Sequence, residues 1–189
     1  LFPYTTLFRS VTVLDRSIER LRYLDDTYTG LFKTRYSSAA ATAELVATAD
    51  MVVGAVLIPG AAAPKLVSRA QLSEMKPGAV LLDVAIDQGG CFESSRPTTH
   101  DAPIYVEEGI VHYCVANMPG AVARTATIAL GNATLGPMLE IADKGWAAAC
   151  RENEHLLAGL NVHAGRLTNF AVGRALGLDV LSPKLALGL

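Results

Sequence analysis

Aromatic residues are scarce in this chain, 6% of 189 residues with one tryptophan, so its core cannot rest on layers of large rings. Charge of one sign is lacking as well. The 16 basic and 18 acidic residues leave a net charge of -2 with no long run of either, which excludes the basic stripe that nucleic-acid phosphates require. No apolar run approaches the roughly 20 residues of a membrane helix; the longest, 51–59, ends at Pro59. The three cysteines, Cys91, Cys114 and Cys150, have no short paired spacing, which argues against a zinc site or redox dithiol and for reduced thiols in a cytoplasmic protein. What is present is aliphatic. The 51% hydrophobic content is mainly Ala, Val and Leu, the material of buried strands and close-packed helices, and it points to an α/β fold.

Residues 1–10 have neither the period nor the caps of the chain from Val11 onward and read as a leader foreign to the domain. Val11-Thr12-Val13-Leu14-Asp15 is a strand ending in an acid, and Ser17 caps a helix whose Ile18, Leu21, Leu24 and Tyr28 share a face. A strand over 31–36, caps at Ser37 and Ser38, a helix over 39–48 and an apolar strand over 51–57 repeat the unit. After a Gly/Ala/Pro loop come a capped helix over 68–75, its terminator Lys76-Pro77-Gly78 and a strand over 79–85. Such alternation predicts parallel strands joined by helical crossovers, a Rossmann-type doubly wound sheet. The Gly-x-Gly-x-x-Gly turn that should lie upstream is missing, and with it the phosphate cradle.

Residues 88–103 are aperiodic and rich in Gly, Ser, Thr and Pro, and read as a functional loop. Strands at 105–106 and 110–115 flank the turn Glu107-Glu108-Gly109. Beyond Pro119-Gly120 the period becomes helical, with a kink expected at Gly136-Pro137, and a tail over 146–178 is helical with a break at 162–165. The domain boundary is placed near 121–124, giving a partial nucleotide-binding domain over 11–123 and a helical part of a second domain over 124–189.

The candidate residues cluster at strand ends. Asp15 stands where a Rossmann fold places the acid that holds the adenosine ribose, or is an ordinary turn aspartate. Asp87 follows a buried strand and precedes Gly89-Gly90, so its carboxylate either emerges at the sheet's carboxyl edge or caps the glycine turn. Arg96 offers a planar donor fork or is a solvated loop arginine. Ser37 is a hydroxyl near adenosine or a helix cap, Val56 and Leu57 line a cleft or fill the core, and Asn117 holds a carboxamide or closes a loop in left-handed geometry. His112 and Cys114 share a strand face, and core packing is the better reading than a metal. His100, His155 and His163 read as solvated or capping residues.

The ordered segments Lys33-Thr34-Arg35-Tyr36-Ser37-Ser38, Gly54-Ala55-Val56-Leu57-Ile58-Pro59-Gly60, Met75-Lys76-Pro77-Gly78-Ala79-Val80, Asp87-Gln88-Gly89-Gly90-Cys91-Phe92-Glu93, Ser95-Arg96-Pro97-Thr98-Thr99 and Tyr113-Cys114-Val115-Ala116-Asn117-Met118-Pro119 strongly resemble alanine dehydrogenase, over about 11–178. The resemblance implies oxidation of L-alanine to pyruvate and ammonium with NAD as hydride acceptor, in a homo-hexamer. It implies Asp15, Arg20, Ser37, Val56 and Leu57 around adenosine, and Val84, Ala85, Ile86, Asp87, Arg96, Val115, Ala116, Asn117 and Met118 around the nicotinamide, with Asp87 the catalytic acid. Glu140 matches a position linked to magnesium in some members, but Lys144 stands where a histidine partner would, and no metal is expected.

The chain departs from the family by truncation. It lacks the substrate-holding arginine and lysine, the catalytic histidine, the glycine turn and the first central strand, so the isolated polypeptide is expected to turn over no alanine. The strands beginning at Val11 and Met51 would flank the missing one, each unpaired buried backbone group costing about 1–3 kcal/mol, and a marginal fragment made by a cloning or assembly join is expected. The rival readings are a soluble transhydrogenase-type NAD(H)-binding domain and a non-catalytic nucleotide-binding or oligomerisation module.

Overall fold

The computed structural model describes residues 10–189. The leader expected over 1–10 lies outside the described residues apart from Ser10. Strand β1 (Thr12–Asp15) pairs in parallel with β2 (Lys33–Tyr36), joined through helix α1 (Ile18–Thr27). The Ser17 hydroxyl caps α1 by accepting from Arg20 N at 3.2 Å, as its sequence predicts. Helix α2 (Ala39–Thr48) has the expected bounds, and Ser38 alone is its N-cap, accepting from Ala41 N; Ser37 sits one residue too early to reach those amides.

Strands β3 (Met51–Gly54), β4 (Val80–Asp83), β5 (Ile104–Glu107) and β6 (Ile110–Tyr113) form a second sheet in the order β3-β4-β6-β5. All its pairs are parallel except β5 with β6, an antiparallel hairpin turned by Glu108 and Gly109, both at positive φ as a two-residue turn demands. Among the described residues the β1-β2 ladder is not hydrogen-bonded to this sheet. The architecture is the α/β arrangement of parallel strands and helical crossovers that the sequence predicts, with one antiparallel strand at the sheet's edge.

The elements are shorter than expected where loops begin. β3 ends at Gly54 and not at residue 57, because its end is covered by the segment that comes after β4. β4 stops at Asp83 and not at 85, because the chain folds back into a 3₁₀ turn over Ile86–Gln88. The segment expected as a helix over 68–75 is a 3₁₀ helix, Arg69–Glu74, opened by a Ser68–Gln71 capping box; Pro77 comes too soon for a longer i to i+4 ladder. The core lies where β4 meets its covering segments: Val67, Leu72, Leu81, Phe92 and Ile110 are essentially solvent-free and pack in one cluster with Val46 and Met75. Each such side chain contributes about 1.5–3 kcal/mol of burial.

Helix α3 (Ala123–Lys144) runs as one assigned helix past Pro137, and Ile128, Leu130, Leu135, Met138 and Leu139 are all exposed on it. Helices α4 (Trp146–Glu152), α5 (Glu154–Ala158), α6 (Phe170–Leu176) and α7 (Pro183–Ala186) complete the chain. The break expected at 162–165 is a small antiparallel hairpin, β7 (Val162–His163) with β8 (Arg166–Leu167), turned by Ala164 and Gly165 at positive φ.

Candidate functional site

The site forms where the chain leaves β4. Asp83, the last residue of the strand, is fully buried, and its carboxylate accepts from Ala85 N at 3.0 Å, from Cys91 N at 2.8 Å and from the Ser95 hydroxyl. Gly90 passes directly over it: a Cβ there would lie 2.7 Å from Asp83 Oδ2, and φ is +72. Lys65, from the loop after β3, donates through Nζ to the carbonyls of Gly89 at 2.6 Å, Gly90 at 2.7 Å and Phe92 at 3.2 Å. The two segments are also joined through their backbones, by Ala63 N to Gln88 O, Leu66 N to Cys91 O and Glu93 N to Val67 O. Asp87 rides on this platform and is exposed. The platform presses on Gly54, whose substituted Cβ would stand 2.7 Å from Phe92 Cζ and closer still to Cys91 Sγ. Burial, then the Asp83 charge, pushes the Cys91 thiol up to about 12, so this sulfur is inert packing and no nucleophile.

A second group ties the Ser94–Arg96 segment to the sheet edge. The buried Ser94 hydroxyl lies 2.8 Å from His112 Nε2, and His112 Nδ1 donates to Ile110 O at 3.0 Å, so Nε2 accepts. Burial holds the imidazole below its ordinary range. Tyr105 stacks on it at 4.7 Å, donates to Ser94 O at 2.8 Å and accepts from Arg96 N at 3.0 Å. The Arg96 guanidinium lies 3.8 Å over the Tyr105 ring. Burial pushes the Tyr105 phenol up to about 12. His112 and Cys114 are both fully buried, in agreement with core packing.

The other predicted residues divide by exposure. Asp15 ends β1, and one of its oxygens accepts from Ser17 N at 2.8 Å, the local turn contact that the sequence leaves open. Arg20 is exposed with its guanidinium 5.0 Å from the Tyr23 ring, and Ser37 N donates to Asp15 O at 2.9 Å, which puts Ser37 beside Asp15 at the end of the first ladder. Val56 packs against the core, whereas Leu57 is 68% exposed. Val84, Arg96, Ala116 and Asn117 are exposed and Met118 is half-buried. Ala85, Ile86 and Val115 are buried. Asn117 has φ 57, the left-handed turn geometry, and its carbonyl accepts from His100 Nε2 at 3.0 Å, which makes His100 a loop clasp. Glu140 is engaged by Lys144 at 3.1 Å and Asn153 at 2.8 Å, and these contacts hold its carboxyl below the usual range.

Lys65 and Asp83 were not among the predicted residues. An acid at the end of an aliphatic run, with two glycines and a serine beyond it, is the signal that marks Asp83; nothing local marks Lys65.

This combination of loops matches a known pattern. The family described as alanine dehydrogenase/PNT, C-terminal domain, matches residues 5–170. The chain belongs to this family. It is 60% identical over 178 residues to the alanine dehydrogenase of Halomonas elongata, covering 94% of the chain and 48% of that protein. To the alanine dehydrogenase of Mycobacterium tuberculosis it is 54% identical over 174 residues, covering 92% and 47%. A solved L-alanine dehydrogenase superposes with a TM-score of 0.77 at 43% identity, over 89% of this chain and 46% of that one. A transhydrogenase from Sinorhizobium meliloti gives 0.55 at 28% identity, over 62% and 34%. The chain thus spans about half the length of the curated relatives it matches.

Proposed function

We propose that this chain is the NAD-binding half of an L-alanine dehydrogenase, converting L-alanine, NAD and water to pyruvate, ammonium and NADH when completed by the remainder of the enzyme. The observation that carries the proposal is the family match across residues 5–170, which takes in both Asp15 and Asp87. Two observations support placing NAD here: Asp15 and Ser37 adjoin at the end of one ladder, and Asp87, Val84, Arg96, Ala116 and Asn117 are exposed. Bound there, NAD supplies the hydride acceptor. Asp15, with Arg20, holds the adenosine ribose, with Ser37 and the Val56-Leu57 backbone along the adenosine; Val84 to Asp87, Arg96 and Val115 to Met118 surround the nicotinamide end. Asp87 orients the substrate amine and the water that replaces it. The Gly-x-Gly-x-x-Gly phosphate cradle is missing from this sequence, and the isolated 189-residue polypeptide is proposed to be inactive.

The division into 11–123 for NAD and 124–189 for the substrate side, homo-hexameric assembly and a cytoplasmic location belong to the same proposal. Among the described residues no helix is long and apolar enough to cross a membrane. The transhydrogenase reading is weaker, since that structure matches less of the chain at lower identity. Titration of the purified chain with NADH, monitored by nicotinamide fluorescence, should show saturable binding that Asp15→Ala abolishes. No saturable binding would overturn the NAD assignment, and alanine-dependent NADH formation by the isolated chain would overturn its inactivity.

A further inference from the structure

The turn that carries Asp87 has more backbone polar groups than its own short-range bonds satisfy. Gln88 N and Gly90 N return to Ala85 O, and Gly89 N to Ile86 O. The amides of Ala85 and Cys91 instead reach the two oxygens of Asp83, at 3.0 and 2.8 Å, with the Ser95 hydroxyl as a third donor. On the opposite polarity, the carbonyls of Gly89, Gly90 and Phe92 converge on Lys65 Nζ at 2.6, 2.7 and 3.2 Å. An acceptor-only anion therefore gathers donors of this segment, while a three-donor cation gathers its acceptors. Hydrogen bonds to ionised groups are roughly twice as strong as neutral ones, so these two side chains dominate the local conformation. Asp83 is fully buried and acts only through the turn.

We propose that Lys65 and Asp83 are positioning residues, which clamp the 84–92 turn from opposite charges and thereby fix the direction in which Asp87 projects. The proposal rests on reading Asp87 as the acid at the nicotinamide end. Gly90 is part of the device, since any side chain there would strike Asp83 Oδ2.

Amide hydrogen exchange on the full 189-residue chain tests the clamp without any ligand. In Lys65→Met the amides of Gly89, Gly90 and Cys91 exchange about tenfold faster or more, while Leu81 and Leu82 in β4 keep their protection. Lys65→Arg restores most of the loss, because it still presents several donors. Asp83→Asn, nearly isosteric but with an NH₂ facing N–H donors, gives the same local release at Ala85 and Cys91; if it does not fold, Lys65→Met decides alone. Unchanged exchange in folded Lys65→Met overturns the clamp, and so does acceleration that is uniform across β4. NADH titration then addresses Asp87: Lys65→Met weakens binding about fivefold or more and Lys65→Arg retains it. Faster exchange with unaltered NADH affinity overturns the positioning of Asp87. A wild-type chain that binds no NADH refutes the underlying NAD reading, and the exchange result still decides whether the turn is clamped.

Discussion

Gly54→Ala tests how tightly the platform is pressed onto the sheet. Gly54 is the last residue of β3, is buried, and its carbonyl accepts from Val84 N at 2.8 Å, so the backbone cannot retreat without breaking the junction between β3 and the turn. An added methyl would lie 2.7 Å from Phe92 Cζ and nearer still to Cys91 Sγ. Both are solvent-free members of the main core, so neither can swing into water. Overpacking of this kind costs about 1–3 kcal/mol. The sulfur is the nearest obstacle, so in a Cys91→Ala background the same substitution should cost less, with a coupling of about 0.5 kcal/mol or more. Gly78→Ala is the control: φ there is +79 with nothing within 4 Å, so its penalty, about 1–2 kcal/mol from the backbone alone, should be indifferent to Cys91. Urea unfolding monitored by circular dichroism gives the stabilities of the parent and each variant, read from midpoints at constant slope. Strict additivity of Gly54→Ala and Cys91→Ala, or a Gly54→Ala chain as stable as the parent, would refute the close-packed rim.

The buried titrating groups lead to three more expected outcomes. Burial depresses His112, with Arg69 and Arg96 adding to the effect and the Ile110 carbonyl opposing it. Below the ordinary histidine value near 6.5 the unfolded chain therefore takes up a proton that the folded chain refuses, and stability falls as pH is lowered through that window. His112→Gln should flatten the urea midpoint over this range, and an unchanged slope would remove His112 as the cause. Cys91, raised to about 12 from 9.0, keeps its proton where the unfolded chain loses one, so stability should decline as pH rises above 9.0. At neutral pH native Cys91 should resist iodoacetamide and label only in urea, as peptide mass spectrometry would report; rapid native labelling would contradict its burial.

Much of the α/β layout was legible because its signals are local. Ser17 and Ser38 mark helix starts, and the aliphatic runs at 11–15 and 51–57 mark strands whichever neighbours they acquire. What escaped depends on contacts across space. The end of β3 is set by Cys91 and Phe92, which are remote in sequence, and the β7-β8 hairpin turns at Ala164-Gly165, a weak turn signal beside the usual Asn-Gly. Within the site, Asp87 and Arg96 are exposed, which is compatible with either reading that the sequence leaves open for each. Ala85, Ile86 and Val115 were named by motif, yet folding turns their side chains inward. Lys65 is the opposite case: its three carbonyl partners exist only once two loops meet, and no residue pattern announces them.

The bonds that hold Asp87 in place join segments that are distant along the chain: Gly54 with Val84, Ala63 with Gln88, and Lys65 with Gly89, Gly90 and Phe92. Loop closure over such separations costs entropy before the contacts repay it, so this corner is assembled only as the sheet itself closes. The acidic corner thus inherits its shape from its neighbours, since the core beneath it takes in Val46 and Ile110 and β4 is flanked by the 110–113 strand.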